Sequence, residues 1–353
     1  MPIDSAERKR ELRKAETLFL PIKNIRSVPM NIALVYPNTY NLGMSNLGFH
    51  ALYYEINSRD DALCHRAFFM HESREVTVEA DQALEVYDII GFSISFELDY
   101  INILKILDSA NIPLYAKDRP HHMVMAGGPA ATFNPEPLSP FIDFFVIGEG
   151  EEVIHEIIDK YISNKGLSKQ KILENLAQIE GVYVPSLYDI KYDEKGIVST
   201  VKARTPAPVV IKKRWIKNLD NYNTESVILT PNTEFGDMFL LEISRGCGRN
   251  CRFCMAGYCY RVPRARSLEK IIERAKIGAK YKNKIGLVGA AISDYPYIDE
   301  LADALVELGI KFSVSSLRAD TLREPLMRGL SASNHKTITV APEAGSQRLR
   351  NII

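Results

Sequence analysis

Between residues 31 and 160, short runs of consecutive apolar residues alternate with stretches whose apolar positions recur every three or four. Residues 31–36 form a β-branched run closed by Pro37, and the stretch 43–57 after it places Leu47, Ala51, Leu52 and Ile56 on one helical face. The pattern returns with strands over 87–93, 122–126 and 141–147 and helices over 98–107 and 151–161. Nearly continuous apolar strands separated by amphipathic helices predict a parallel sheet covered on both faces, a doubly wound, Rossmann-like α/β domain. From 163 to 237 the periodicity lapses. Residues 192–196, Tyr-Asp-Glu-Lys-Gly, have hairpin-turn chemistry, and Pro206, Pro208 and Pro231 punctuate a connector. Alternation resumes with strands over 239–244, 284–290, 311–316 and 337–341, and helices over 267–281, 298–308, 322–330 and from near Ser346.

The pattern predicts an α/β chain in four parts: a helical extension over 1–30, the Rossmann-like domain over 31–162, a linker with a small β element over 163–237, and a partial (β/α) barrel over 238–353. Four βα units make half of an eight-unit barrel. The sequence stops inside the fourth helix.

Composition narrows the function classes. With 353 residues, 46% hydrophobic and 25% charged, the chain reads as globular with two or three cores, which excludes fibrous and disordered classes. Its 44 Lys and Arg balance 44 Asp and Glu. No global field attracts nucleic acid or an anionic bilayer, so any polyanion contact is local. No apolar run reaches the ~18 residues of a membrane span, and the charged segment 6–16 has no signal core, so the sequence predicts a cytoplasmic protein without a membrane partner.

The five cysteines fall at 64, 247, 251, 254 and 259, and four share one short stretch, unlike a disulfide framework. Cys247-Gly-Arg-Asn-Cys251-Arg-Phe-Cys254 sets three thiols in a C-x3-C-x2-C loop directly after a predicted strand. Thiolates are soft ligands that select iron–sulfur clusters or zinc. Structural zinc wants four ligands, usually as two separated pairs, and no second Cys or His pair lies at suitable spacing. Cys259 does not fit the spacing, and Cys64 is expected in the core.

This motif, with Phe253 before its third cysteine, resembles the radical S-adenosylmethionine (SAM) superfamily. The resemblance implies a 4Fe-4S cluster on Cys247, Cys251 and Cys254 whose open iron chelates SAM. Reductive cleavage to a 5′-deoxyadenosyl radical would follow, with electrons from a donor such as a flavodoxin or ferredoxin. It also implies SAM contacts at Phe253 and at Gly289 and Ala290, which stand where the family has Gly-Gly-Glu. Ser315, Ser316 and Arg318 at the end of the third strand, and Glu343 after the fourth, complete the SAM set.

The first domain resembles cobalamin-binding domains at the loops after its strands, where doubly wound sheets hold ligands. Asn38, Tyr40 and Gly43 stand in the place of Asp-x-His-x-x-Gly, with Tyr40 where the family has the histidine that ligates cobalt. Ser93 and Ser95 match a Ser-x-Leu or Ser-x-Thr segment, Gly127 and Gly128 the Gly-Gly pair, and Glu149 lies in a closing turn of the same kind. Together the chain resembles the cobalamin-binding-domain-containing radical SAM proteins from Asn31 to Ile353. Such cores usually have about six βα units, short of the eight of a full barrel; with four, this chain is expected to be a fragment or to be completed by a second polypeptide. Two other readings remain open. Residues 260–267 resemble the Arg-rich segment of methylthiotransferases, which implies RNA or protein modification, and Arg261, Arg264 and Arg266 with Lys212, Lys213 and Arg214 would bind a phosphate-bearing substrate such as RNA. The chain would alternatively be a non-catalytic half protein holding a cluster or cobalamin for a partner.

Overall fold

The computed structural model describes residues 5–69, 76–315 and 317–353. The chain divides into two units, Met1–Ile216 and Lys217–Ile353.

In the first unit, helix α1 (Ser5–Lys14) precedes β1 (Met30–Tyr36), α2 (Leu47–Asn57), β2 (Ala62–Phe68), β3 (Ile89–Ser93), α3 (Tyr100–Ser109), β4 (Met123–Gly127), β5 (Phe144–Val146), α4 (Val153–Ser163), α5 (Lys169–Leu176) and β6 (Val182–Tyr183). The strands form one sheet in the order β2-β1-β3-β4-β5-β6, parallel throughout except for the antiparallel β5–β6 edge. Every residue of β1 is buried, which is why it carries no polar alternation. Helix α2 starts where the Asn46 side chain accepts the Phe49 amide, and it buries Phe49, Tyr53 and Ile56. Val35, Ile90, Phe92, Ile103, Val124 and Phe145 belong to one continuous core.

Two strands of this sheet, β2 and β6, were not anticipated from the sequence. The 163–237 segment is also more ordered than a linker. Ser168 caps α5, which buries Ile172, Leu173 and Leu176, and residues through 216 fall within the first unit. The expected hairpin is present as β7 (Tyr188–Tyr192) and β8 (Val198–Ala203), with Asp193 Oδ1 accepting the amides of Lys195 and Ile197 across the turn.

The second unit comprises β9 (Met238–Glu242), β10 (Ser244–Arg245), β11 (Arg264–Ala265), α6 (Leu268–Gly278), β12 (Lys284–Val288), α7 (Ile298–Glu307), β13 (Lys311–Ser313), α8 (Glu324–Ala332) and α9 (Gln347–Ile352). Strands β9, β12 and β13 pair in parallel in chain order, as the opening of a βα barrel does. Gly278 lets α6 lie directly on the Phe239 ring, where any Cβ would collide. The fourth strand expected over 337–341 is reduced to a single parallel bridge between Leu317 and Val340. Thr339 and Val340 are exposed there, so burial does not hold the segment flat against a neighbour. Among the described residues, no helix is long and apolar enough to cross a membrane.

Candidate active site

Strands β9, β12 and β13 end at Glu242, Val288 and Ser313, and the segments leaving these ends carry the cysteines, Gly289 and Ala290, and Ser315 with Arg318. The cysteine loop is closed at its base, where β10 pairs antiparallel with β11. Beneath that pair the buried Glu242 carboxylate accepts Arg245 Nε at 2.8 Å and Arg266 Nη2 at 2.9 Å. A buried carboxylate shared by two guanidiniums fixes where the loop leaves and re-enters the barrel. Gly246, with φ +82°, passes so close to the Tyr260 carbonyl that a side chain has no room.

Within the loop, Cys247, Cys251 and Cys254 are partly exposed and joined in no disulfide, whereas Cys259 and Cys64 are buried. Asn250 adopts a left-handed turn at φ +56°, and its side-chain oxygen accepts Arg261 Nη2 at 2.7 Å. Arg261 also lies 4.7 Å over the Tyr258 ring and donates to the Gly257 carbonyl. Phe253, Met255 and Tyr258 present apolar side chains to the surface around the thiols. Among the described residues no three His, Cys, Asp or Glu groups gather where one metal ion would sit. A cubane takes one thiolate on each of three irons, and this donor set of three soft thiols fits that requirement.

Gly289 approaches the loop base, where an added Cβ would stand 2.6 Å from Ser244 Oγ. Ala290 and Ser315 are exposed, and Ser316 lies outside the described residues. The Arg318 amide donates to Ser293 Oγ at 3.4 Å, and its guanidinium reaches Asp320 at 2.5 Å and Asp294 at 3.6 Å. Glu343, exposed in a left-handed conformation at φ +65°, follows the Val340 bridge. Ser346 caps α9 by accepting the Leu349 amide. Sequence reasoning passed over Asp294, which binds Arg249 in a two-point pair, Nε–Oδ2 and Nη2–Oδ1 both at 2.8 Å, and raises the Arg249 pKa. The available signal was an arginine inside the C-x3-C gap.

Of the cations considered for a phosphate-bearing substrate, Arg266 is buried on Glu242 and Arg214 is paired with Glu152 and Glu156. Neither presents a free charge to a polyanion.

In the first unit, the carboxyl ends of β1, β3 and β4 bring Asn38, Ser95 and Gly128 to one edge. Asn38 Nδ2 donates to Asp99 Oδ1 at 2.7 Å, while the buried Asp99 Oδ2 makes no hydrogen bond and burial raises that carboxyl's pKa. Ser95 Oγ accepts from Asn46 at 3.0 Å, and Ser93 is buried beside Gly127 in the β3–β4 ladder. Gly128 holds φ +100°, where a Cβ would stand 2.5 Å from the Ile94 carbonyl. The Tyr40 hydroxyl donates to Glu16 at 2.5 Å, Gly43 makes room for the Phe68 ring, and the buried Glu149 accepts the Ile216 amide at 2.8 Å. These three residues therefore serve the unit's own packing. Leu42, Phe96, Leu98 and Phe133 leave apolar side chains exposed along the same edge.

A closed three-cysteine loop at the carboxyl ends of parallel strands, in a chain that also carries a doubly wound sheet, defines a class of cluster-binding α/β proteins. Two family models match: "Radical SAM proteins, N-terminal" over residues 48–185 and "Radical SAM superfamily" over residues 241–353. The chain belongs to the radical SAM superfamily. It is 34% identical over 330 residues to the uncharacterized protein MJ0966 of Methanocaldococcus jannaschii, covering 92% of this chain and 62% of that one. It is 26% identical over 247 residues to the anaerobic magnesium-protoporphyrin IX monomethyl ester cyclase of Cereibacter sphaeroides, covering 65% and 36%. Its fold is similar to that of the cobalamin-dependent SAM radical enzyme OxsB with aqua-cobalamin and SAM bound (TM-score 0.53, 17% identity, 92% of this chain and 45% of that chain). The chain thus spans less than two thirds of each of these proteins.

Proposed function

We propose that the second unit holds a 4Fe-4S cluster on Cys247, Cys251 and Cys254 with SAM beside it, and serves a radical SAM reaction. The observation that carries this reading is the cysteine loop, closed at its base by the Glu242 clamp and set at the strand ends that also carry Gly289 and Arg318. A reduced cluster bound there would supply the electron that cleaves the SAM sulfonium. The chain's own residues bind and orient. Gly289 and Ala290 offer backbone carbonyls to the SAM amino group, Ser315 and Arg318 offer a hydroxyl and a cation to its carboxylate and ribose, and Glu343 faces the ribose. Phe253, exposed beside Cys254, offers an apolar side chain to SAM. A flavodoxin- or ferredoxin-type donor supplies the electrons.

For the first unit the proposed ligand is a corrinoid. Its exposed apolar edge and the orphaned Asp99 oxygen suit a large ring with amide arms. Tyr40, engaged by Glu16, does not suit cobalt ligation, so the ring is held without a protein ligand beneath it.

Anaerobic reconstitution tests the cluster. The wild-type chain should take up about four irons and, once reduced, convert SAM to 5′-deoxyadenosine, while Cys251→Ala should lose both. Unchanged iron content in that variant would remove the assignment.

A further inference from the structure

Three loops leave the three parallel strands of the second unit, and one side chain touches the other two. Asp294 sits in the turn after β12. It holds Arg249, midway between Cys247 and Cys251, through two parallel bonds of 2.8 Å, and its Oδ1 lies 3.6 Å from Nε of Arg318 beyond β13. The adjoining Ser293 Oγ accepts the Arg318 amide, so the backbone is tied at the same point. Partly exposed ion pairs contribute little stability. A planar guanidinium gripped at two points does fix direction. The arrangement therefore does more for geometry and local charge than for folding.

We infer that Asp294 is a positioning residue: it orients Arg249 beside the cysteine loop and Arg318 beside the SAM site, and so sets both the charge felt by the cluster and the affinity for SAM. The inference rests on the cluster and SAM reading above. Arg249 and Arg318 are balanced by Asp294 and by Asp320, which meets the Arg318 guanidinium at 2.5 Å, so the group of four is neutral as a whole and Asp294 decides where its positive charges stand. A cluster on three thiolates is anionic and becomes more so on reduction, so positive charge nearby favours the reduced form. The SAM carboxylate is drawn by the Arg318 guanidinium, whose direction is set between Asp294 and Asp320.

The test compares Asp294→Asn, Asp294→Glu and Arg249→Gln with the wild type after anaerobic reconstitution. Cluster midpoint potential is read by EPR-monitored titration, and SAM affinity by equilibrium dialysis on the oxidised protein. Asp294→Asn removes a negative charge, so the midpoint should rise, and SAM binding should weaken severalfold as Arg318, still held by Asp320, loses the second of its two ionic partners. Arg249→Gln should lower the midpoint and leave SAM affinity unchanged. The double variant should return towards the wild-type potential, and Asp294→Glu should recover part of both properties. Opposite signs in the two single variants distinguish charge placement from mere support of the fold. If Asp294→Asn is insoluble, Arg249→Gln still decides, because its midpoint must fall. Variants with full iron content and wild-type potential and affinity would overturn the inference while leaving the cluster reading intact. A wild-type chain that takes up no cluster would overturn both.

Discussion

His50 lies in α2 at 2% exposure, its Nε2 hydrogen donating to the Met44 carbonyl at 3.0 Å. Burial, aided by the nearby Arg66 cation, lowers its pKa from 6.5 to about 4. The sign follows from proton linkage: the unfolded chain binds this proton more tightly, so His50 contributes stability in full above pH 6.5, and that contribution drains away as the pH falls towards 4. Between pH 7.5 and 5 the loss should be about 2 kcal/mol. His50→Gln keeps an N–H for Met44 but cannot titrate. Urea unfolding at both pH values should show the wild type losing about 2 kcal/mol more than the variant; equal losses would mean that His50 is not the group responsible.

At the scale of elements, most of what the sequence made legible followed burial. Strands β3 and β5 lie inside the apolar runs predicted for them, and β1 and β4 overrun theirs by one residue each, at Met30 and Gly127, because these strands are buried almost throughout. Strand β2 escaped notice for the opposite reason: Cys64-His65-Arg66 interrupts its apolar run, yet all seven of its residues are buried. Arg66 is accommodated by Glu16, with two bonds of 2.8 Å, and by Glu79 at 2.6 Å, with the Tyr53 ring beneath it. Glu16 lies 50 residues away in the chain, so no local pattern announces the pairing. The cysteine motif was plain because three thiols at fixed spacing name their own chemistry, whereas Asp294 became visible only once folding brought it to Arg249. Arg66→Ala would leave two buried carboxylates without a cation and should cost about 3–5 kcal/mol. A loss below about 1 kcal/mol on denaturation would show the buried triad to be energetically idle.

For the whole molecule, formal neutrality and two separately cored units shift the burden of function onto local sites, since no overall field gathers a ligand. Each unit offers the carboxyl ends of parallel strands, the first around Asn38, Ser95 and Gly128 and the second around the cysteine loop. If the first binds a corrinoid and the second a cluster with SAM, ligation should be legible unit by unit in amide hydrogen exchange. Hydroxocobalamin should slow exchange over 37–46, 94–99 and 127–134, where the strand-end loops and the apolar edge lie. SAM added to the reconstituted protein should slow exchange over 244–265, 289–294 and 314–318 instead. At a hundredfold excess over Kd, the gain available to amides that open only with the ligand released is about 2.7 kcal/mol. Without an imidazole below the ring, the corrinoid spectrum should shift with no sign of nitrogen ligation. Corrinoid protection confined to residues 217–353, or an unchanged spectrum, would take the corrinoid away from the first unit and leave its sheet a scaffold.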